Sequence, residues 1–404
     1  MAAPLKHVAS RLCFKSILKH LPSISASPKF HTSARLRLLS ADALGVEDFK
    51  RARYEIKESL GDQKDRFRAM MEDYLTSSEK GTVFTTDLKT IVHICDTVEE
   101  LDSMENMIRH YHRQSNTLRF STFNFGPVVM RLLYVLKKSD LAYRLFMDKE
   151  LNGFFDQMTS FIILMDLLFE NQMYHEVIEV LEVICSKMLD GVRYPHDGVL
   201  LMTASCLKIN TKESFEKCMK LIQSTKPENV GQRVLIYACV LALEQGELQR
   251  AEELFAHAKS KPGSGVVLEN VETLLLTKLG KTDEAVQLWK AKLTADEPEL
   301  SGAANKNKFF FMHIADDLSK AVQDSGDIRL QHECEHVMKN LKDQGSIQDV
   351  QLMEFIFRPL VRRRQLQDGY KSRRRSSVAS GEPSKPRGKQ TYHKKQTVQW
   401  PEMS

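Results

Sequence analysis

Two adjacent carboxylate pairs, Glu99-Glu100 and Asp316-Asp317, and one spaced histidine pair, His110-Tyr111-His112, come nearest to a catalytic or metal-binding set in this sequence. A shared ion needs ligands that converge. Neighbours on a helix point about 100° apart and an i, i+2 pair also diverges, so these groups read as exposed helical charges and a helix end. The cysteines offer as little: Cys13, Cys95, Cys185, Cys206, Cys218, Cys239 and Cys334 are scattered, with no Cys-x-x-Cys to preassemble half a zinc site. Most of them fall on apolar helical stripes, where a thiol behaves as a small hydrophobe. The chain holds no Gly-x-x-x-x-Gly-Lys phosphate loop, no Gly-x-Ser-x-Gly nucleophile elbow and no paired-histidine metal motif. The expectation is a protein without catalysis, metal or cofactor.

The chemistry that remains is cationic and sits in two blocks. Residues 1–41 carry seven basic residues (Lys6, Arg11, Lys15, Lys19, Lys29, Arg35, Arg37) and no acidic one. Residues 358–404 carry thirteen Lys and Arg against Asp368, Glu382 and Glu402, a net +10. The whole chain of 404 residues is only +5, so residues 42–357 carry −12. A net acidic body does not attract polyanions by its overall field; any nucleic-acid affinity must come from a local patch or from the tail. Arg362-Arg363-Arg364 and Arg373-Arg374-Arg375 supply flexible cations that grip phosphates without reading sequence.

The first block is not a phosphate clamp in this reading. Basic, serine-rich and free of acid, with Leu12, Ile17, Leu18 and Leu21 set against Lys15 and Lys19, it has the composition of a cleavable mitochondrial targeting segment. A secretory signal would show a continuous apolar run, and none is present. The expected cut falls between Phe30 and Ala41, guided by Arg35 or Arg37, and leaves the mature protein in the matrix. The longest apolar run, Val234 to Leu243, is too short to cross a bilayer, so no membrane span is expected.

What must position any functional group is a repeat. Gly246-Glu-Leu-Gln-Arg-Ala-Glu-Glu-Leu-Phe255 is echoed by Gly280-Lys-Thr-Asp-Glu-Ala-Val-Gln-Leu-Trp289 at an offset of 34. The same template, one residue followed three and four later by apolar ones, leads at positions 104, 142, 177, 215, 251 and 285, spaced by 38, 35, 38, 36 and 34. Ahead of each lies another apolar stripe: Leu88 to Cys95, Val128 to Leu136, Phe161 to Leu168, Val199 to Leu207, Val234 to Leu243 and Val267 to Leu279. A period in the mid-thirties with 3.6-residue patterning inside it is one helix-turn-helix unit, and such units must stack to bury both faces. The turns fall at Asp96-Thr97, Ser139-Asp140, Asn171-Gln172, Asn210-Thr211, Gln245-Gly246 and Gly280-Lys281, with Asp140 and Thr211 as expected N-caps. No segment alternates long enough for a sheet. The fold class is all-α, a solenoid of stacked helix pairs.

The stretch from Thr159-Ser-Phe-Ile-Ile-Leu164, through a second helix to Leu181, closes on Gly191-Val-Arg-Tyr-Pro195. It resembles the pentatricopeptide repeat, which opens with Thr-Tyr-Asn-x-Leu-Ile and closes with Gly-x-x-Pro; the likeness is close over about residues 85 to 225 and looser beyond. The resemblance implies a mitochondrial factor that binds single-stranded RNA and supports maturation of transcripts. In that family one or two first-helix side chains and one at the repeat junction face each base. The position matching the family's base-facing Asn is Phe161, which belongs in a core, and the closing motif is one residue longer, so no base assignment transfers. The remaining expected contacts are His196 at the junction and Arg131, Lys137 and Lys138 nearby, with the tail arginines as phosphate partners. The partners are then mitochondrial RNA and, beside it, a separate ribonuclease or the mitoribosome. A protein-interaction adaptor is the competing class.

The domain plan is a targeting segment over 1–41, an N-terminal helical segment over 42–85, repeats over 86–293, a helical cap over 294–361 and a disordered basic tail over 362–404. Within the cap, Lys308 to Val322 and Ile328 to Leu341 form a further pair, and Val350 to Leu360 one short helix.

Overall fold

A computed structural model describes residues 38–77, 82–117, 123–262, 265–295 and 309–358. Residues 1–37 of the expected 1–41 targeting segment, and the whole expected tail over 362–404, lie outside these residues. Two helices lead, α1 (Val46–Leu60) and α2 (Lys64–Ser77). Helix pairs follow, each a first helix and a second: α3 (Thr85–Ile94) with α4 (Val98–Thr117), α5 (Gly126–Leu136) with α6 (Ser139–Met147), and α7 (Met158–Glu170) with α8 (Tyr174–Lys187). They continue as α9 (His196–Ile209) with α10 (Lys212–Ser224), α11 (Gln232–Glu244) with α12 (Leu248–Ser260), α13 (Val266–Lys278) with α14 (Thr282–Ala295), and α15 (Met312–Asp324) with α16 (Ile328–Asp343). A last short helix is α17 (Leu352–Ile356). All six lead positions fall in second helices, and the expected first stripes fall in first helices, with only Cys95 and Leu279 standing one residue past α3 and α13.

Every hairpin turn after the first, α3–α4, shares one device. Lys137, Gln172, Asn210, Gly246, Gly280 and Gly326 all stand at positive φ, from 51° to 75°, just after a first helix. A left-handed residue there turns the backbone back so that following amides bond to the last carbonyls, as Lys138 N–H does to Leu133 O at 2.9 Å. Thr211 caps α10 as expected, accepting from Ser214 N–H while Ser214 Oγ accepts from Thr211 N–H. Asp140 does not cap α6. The helix already begins at Ser139, with Lys138 before it and no side-chain cap, because the left-handed turn at Lys137 closes the hairpin two residues early.

First helices carry the densest apolar burial. In α9 ten consecutive residues from Gly198 to Leu207 are buried, and in α11 ten from Val234 to Leu243, since neighbours cover each on several sides. Second helices keep one wet face; α10 buries only Ser214, Phe215, Cys218 and Leu221. Each large apolar side chain so buried contributes about 1.5 to 3 kcal/mol. The cysteines join this packing: burial pushes the thiols of Cys95, Cys206 and Cys239 up to about 12.

The core divides at the last repeat. One cluster runs from Leu38 to Leu275 and takes in Phe311, Ile314, Leu352, Ile356 and Phe357. A second holds Ala285, Val286 and Trp289 of α14 with Leu318 and Val322 of α15 and Leu330, Val337 and Leu341 of α16. The helix expected from Lys308 instead begins at Met312, after a two-residue strand, β1 (Phe310–Phe311), that pairs in parallel with β2 (Ile347–Gln348). A bridge this short needs no alternating pattern, which is why the sequence carried no sign of it. Asn270 of α13, fully buried, fixes the seam: its Nδ2 donates to Val266 O at 2.7 Å and Phe309 O at 2.9 Å, and its Oδ1 accepts from Phe311 N–H at 2.8 Å.

Candidate nucleic-acid interface

The expected contacts do not gather into one patch. Lys137 is exposed at the left-handed turn that ends α5, and Lys138 beside it is half-buried. His196 opens α9 at the other end of the helix layer, and a helix of that length separates the two edges by about 20 Å. Its imidazole is 58% exposed, with Nδ1 3.2 Å from Asp197 Oδ1 and the ring against Gly231, where a Cβ would meet Nε2 at 3.1 Å. Arg131 lies inside: its Nε donates to Leu44 O at 2.8 Å, and burial lowers its guanidinium pKa. Arg362, Arg363, Arg364, Arg373, Arg374 and Arg375 lie outside the described residues. Phe161 is fully buried, edge-on to Phe146 at 5.2 Å between centroids, and serves the core.

Arg131 reveals what covers the first helices. Residues 38–45 run across α5 and α7, with Leu38 and Leu39 buried. Leu39 N–H donates to Asp166 Oδ1 at 3.3 Å, and the other oxygen of that fully buried carboxylate accepts from Tyr134 OH at 3.0 Å. Tyr134 also donates to Glu170, and burial together with the two carboxylates raises its pKa well above the usual phenol range. A targeting segment ending at residue 41 would therefore take four residues of the folded body with it.

Residues 356–358 lie over the first helices α7, α9 and α11. Phe357 is fully buried between Tyr237 of α11 and Phe169 of α7, with Lys208 of α9 over its ring. Ile356 O accepts from Tyr237 OH at 2.8 Å and from Arg233 Nη2, which also reaches Arg358 O. Lys208, Arg233, Tyr237 and Phe169 were invisible as a group in the sequence, for they join only when a segment more than 100 residues away folds back. A single hint existed: Lys208 and Arg233 directly flank the two most apolar first-helix stripes, Val199 to Leu207 and Val234 to Leu243.

Elsewhere the charges hold helices together. Arg109 bridges Glu105 and Asp148, and Arg144 meets Glu105 at 2.9 Å. Glu100 Oε2 accepts from Thr97 N–H at 3.2 Å at the start of α4, and Asp316 and Asp317 are exposed. Among the described residues no three His, Cys, Asp or Glu side chains group as metal ligands, and no helix is long and apolar enough to cross a membrane.

Paired helices recurring every mid-thirties residues, first helices in one layer and second helices in another, define an α-solenoid of the helix-turn-helix repeat class. No family model matches the sequence. Curated relatives do: pentatricopeptide repeat-containing protein 2, mitochondrial, of Danio rerio is 30% identical over 362 residues, 87% of this chain and 91% of its own length. The same protein of Xenopus laevis is 32% identical over 225 residues, covering 55% and 58%, and that of Homo sapiens 30% over 234 residues, covering 57% and 59%. The chain belongs to this family of mitochondrial pentatricopeptide repeat proteins.

Proposed function

We propose that this protein acts in the mitochondrial matrix as a single-stranded RNA-binding factor for maturation, processing or stability of mitochondrial transcripts, and so supports the respiratory chain. The observation that carries this reading is membership of a pentatricopeptide repeat family, whose repeats hold RNA bases against their first helices. Helical-repeat proteins of this kind are generally not enzymes, and the sequence offers no catalytic constellation. Any cut in a bound transcript then comes from a separate ribonuclease. Lys137, Lys138 and His196 are the body contacts proposed for RNA, and the six tail arginines the phosphate partners. Arg131 enters by another route, as the anchor of residues 38–45.

A second reading is favoured by one specific observation. Part of the first-helix face holds polypeptide, residues 38–45 and 356–358 of the chain itself, which is what an adaptor solenoid such as a mitoribosome-associated scaffold does. Ultraviolet crosslinking of the protein in intact mitochondria, with sequencing of the attached RNA, separates the two. Reproducible crosslinks to defined transcripts support the RNA factor; recovery of ribosomal proteins without RNA supports the adaptor.

A further inference from the structure

Around Phe357, side chains from three successive first helices form a socket. The Phe357 ring lies nearly parallel to Tyr237, centroids 5.1 Å apart and planes at 19°, and 6.0 Å from Phe169. Lys208 Nζ stands 4.1 Å from its centroid. Arg233 Nη2 and Tyr237 OH hold backbone carbonyls, while Arg233 Nη1 is buried in the same place with no hydrogen-bond partner. Apolar packing needs none of these polar groups. Burial lowers the Lys208 pKa, so the ammonium is held there against its desolvation, and an unpaired guanidinium nitrogen is costly. An aromatic face, a cation above it and a guanidinium aimed at oxygen acceptors are the parts that hold single-stranded nucleic acid.

We propose that Phe169, Lys208, Arg233 and Tyr237 form a binding site for a base and its adjoining backbone of single-stranded RNA, closed in cis by Phe357. The phenyl ring takes the place of the base, and the carbonyls of Ile356 and Arg358 take the place of ribose and phosphate oxygens. The closure is small. Phe355 rests on Phe309 and Phe311, 5.6 and 5.4 Å between centroids, and Asn270 ties that pair to α13. Release thus involves only Ile356, Phe357 and Arg358, with the repeats unmoved. The proposal rests on the RNA reading above and assigns it a site and a competitor.

The test uses the full-length chain and a fluorescent 20-nucleotide single-stranded RNA of mixed sequence. Phe357→Ala removes the competing ring, and one base-aromatic stack is worth about tenfold in affinity. Binding about tenfold tighter than wild type, reversed in the Phe357→Ala/Tyr237→Ala double variant, supports the closed site. A folded Phe357→Ala variant that binds no tighter, while wild type binds, overturns the closed site and leaves the RNA reading standing. Absence of binding by every variant overturns both. Should Phe357→Ala fail to fold, hydrogen exchange of the wild type decides: the amides of residues 356–358 should exchange faster when RNA is added, and unchanged or slower exchange there overturns the proposal.

Discussion

Ala251 offers a sharp test of the solenoid packing. It is fully buried where α12 meets α11, and its carbonyl lies 3.4 Å from Cys239 Sγ, so the two helices approach with room for a methyl group and little else. Ala251→Leu forces three further carbon atoms into that contact. Overpacking of this kind costs about 1 to 3 kcal/mol, and for a domain of this size each kcal/mol lowers Tm by about 2 to 4 °C. The melt, followed by far-UV circular dichroism, should therefore fall by several degrees. Ala256→Leu on the exposed face of the same helix is the control and should melt within about a degree of wild type. Equal melting of wild type and Ala251→Leu would refute the close approach of the two helices.

Other expectations follow from single residues. Lys137 holds φ 57°, a conformation that costs a side chain roughly 1 kcal/mol, so Lys137→Gly should raise Tm slightly; if RNA also touches this residue, crosslinking should fall in the same variant. His93 is buried, with Nδ1 2.6 Å from Lys89 O and Lys89 and Arg53 beside it; burial lowers its pKa below the ordinary 6.5. The unfolded state then binds more protons just below pH 6.5, so stability is complete above that pH and falls as pH drops through the window beneath it. Melting at pH 5.5 should be lower than at 7.5, and His93→Gln should shrink the difference; His313, lowered by the same cause, leaves a remainder. Replacing Arg362, Arg363, Arg364, Arg373, Arg374 and Arg375 with Gln should flatten the slope of log affinity against log salt by about 0.7 per lost phosphate contact. An unchanged slope would remove the tail from the interface. Deleting residues 1–37 should leave a folded protein in the cytosol, whereas deleting 1–41 should also lower its Tm because Leu38 and Leu39 leave the core; equal melting of the two would refute that role.

The repeat architecture was legible because its signals are local. Apolar stripes report the 3.6-residue turn, and Gly246 and Gly280 mark left-handed turns that any reader of spacing can find. Asp140 misled because Ser-Asp after a helix looks like a cap, whereas Lys137 occupies the left-handed position that Gly takes in later hairpins. The covering of the first helices was hidden for a different reason. Leu39 to Asp166 spans 127 residues and Tyr237 to Ile356 spans 119, and no periodic pattern encodes contacts at such separations. The Phe357 socket was hidden in the same way: Lys208 and Arg233 stand one residue outside the stripes Val199 to Leu207 and Val234 to Leu243, where nothing local sets them apart from other helix-end charges.

The separation between Tyr237 and its partner also has a temporal side. A chain delivered amino-terminus first completes α7, α9 and α11 long before Ile356 and Phe357 arrive to close over them, 119 residues after Tyr237. During that interval the nascent solenoid displays Phe169, Lys208, Arg233 and Tyr237 openly, an aromatic and cationic surface of the kind that chaperones and stray RNA both engage. Closure must await residue 356, so a chain stalled or cleaved before it lacks the residues that cover this face.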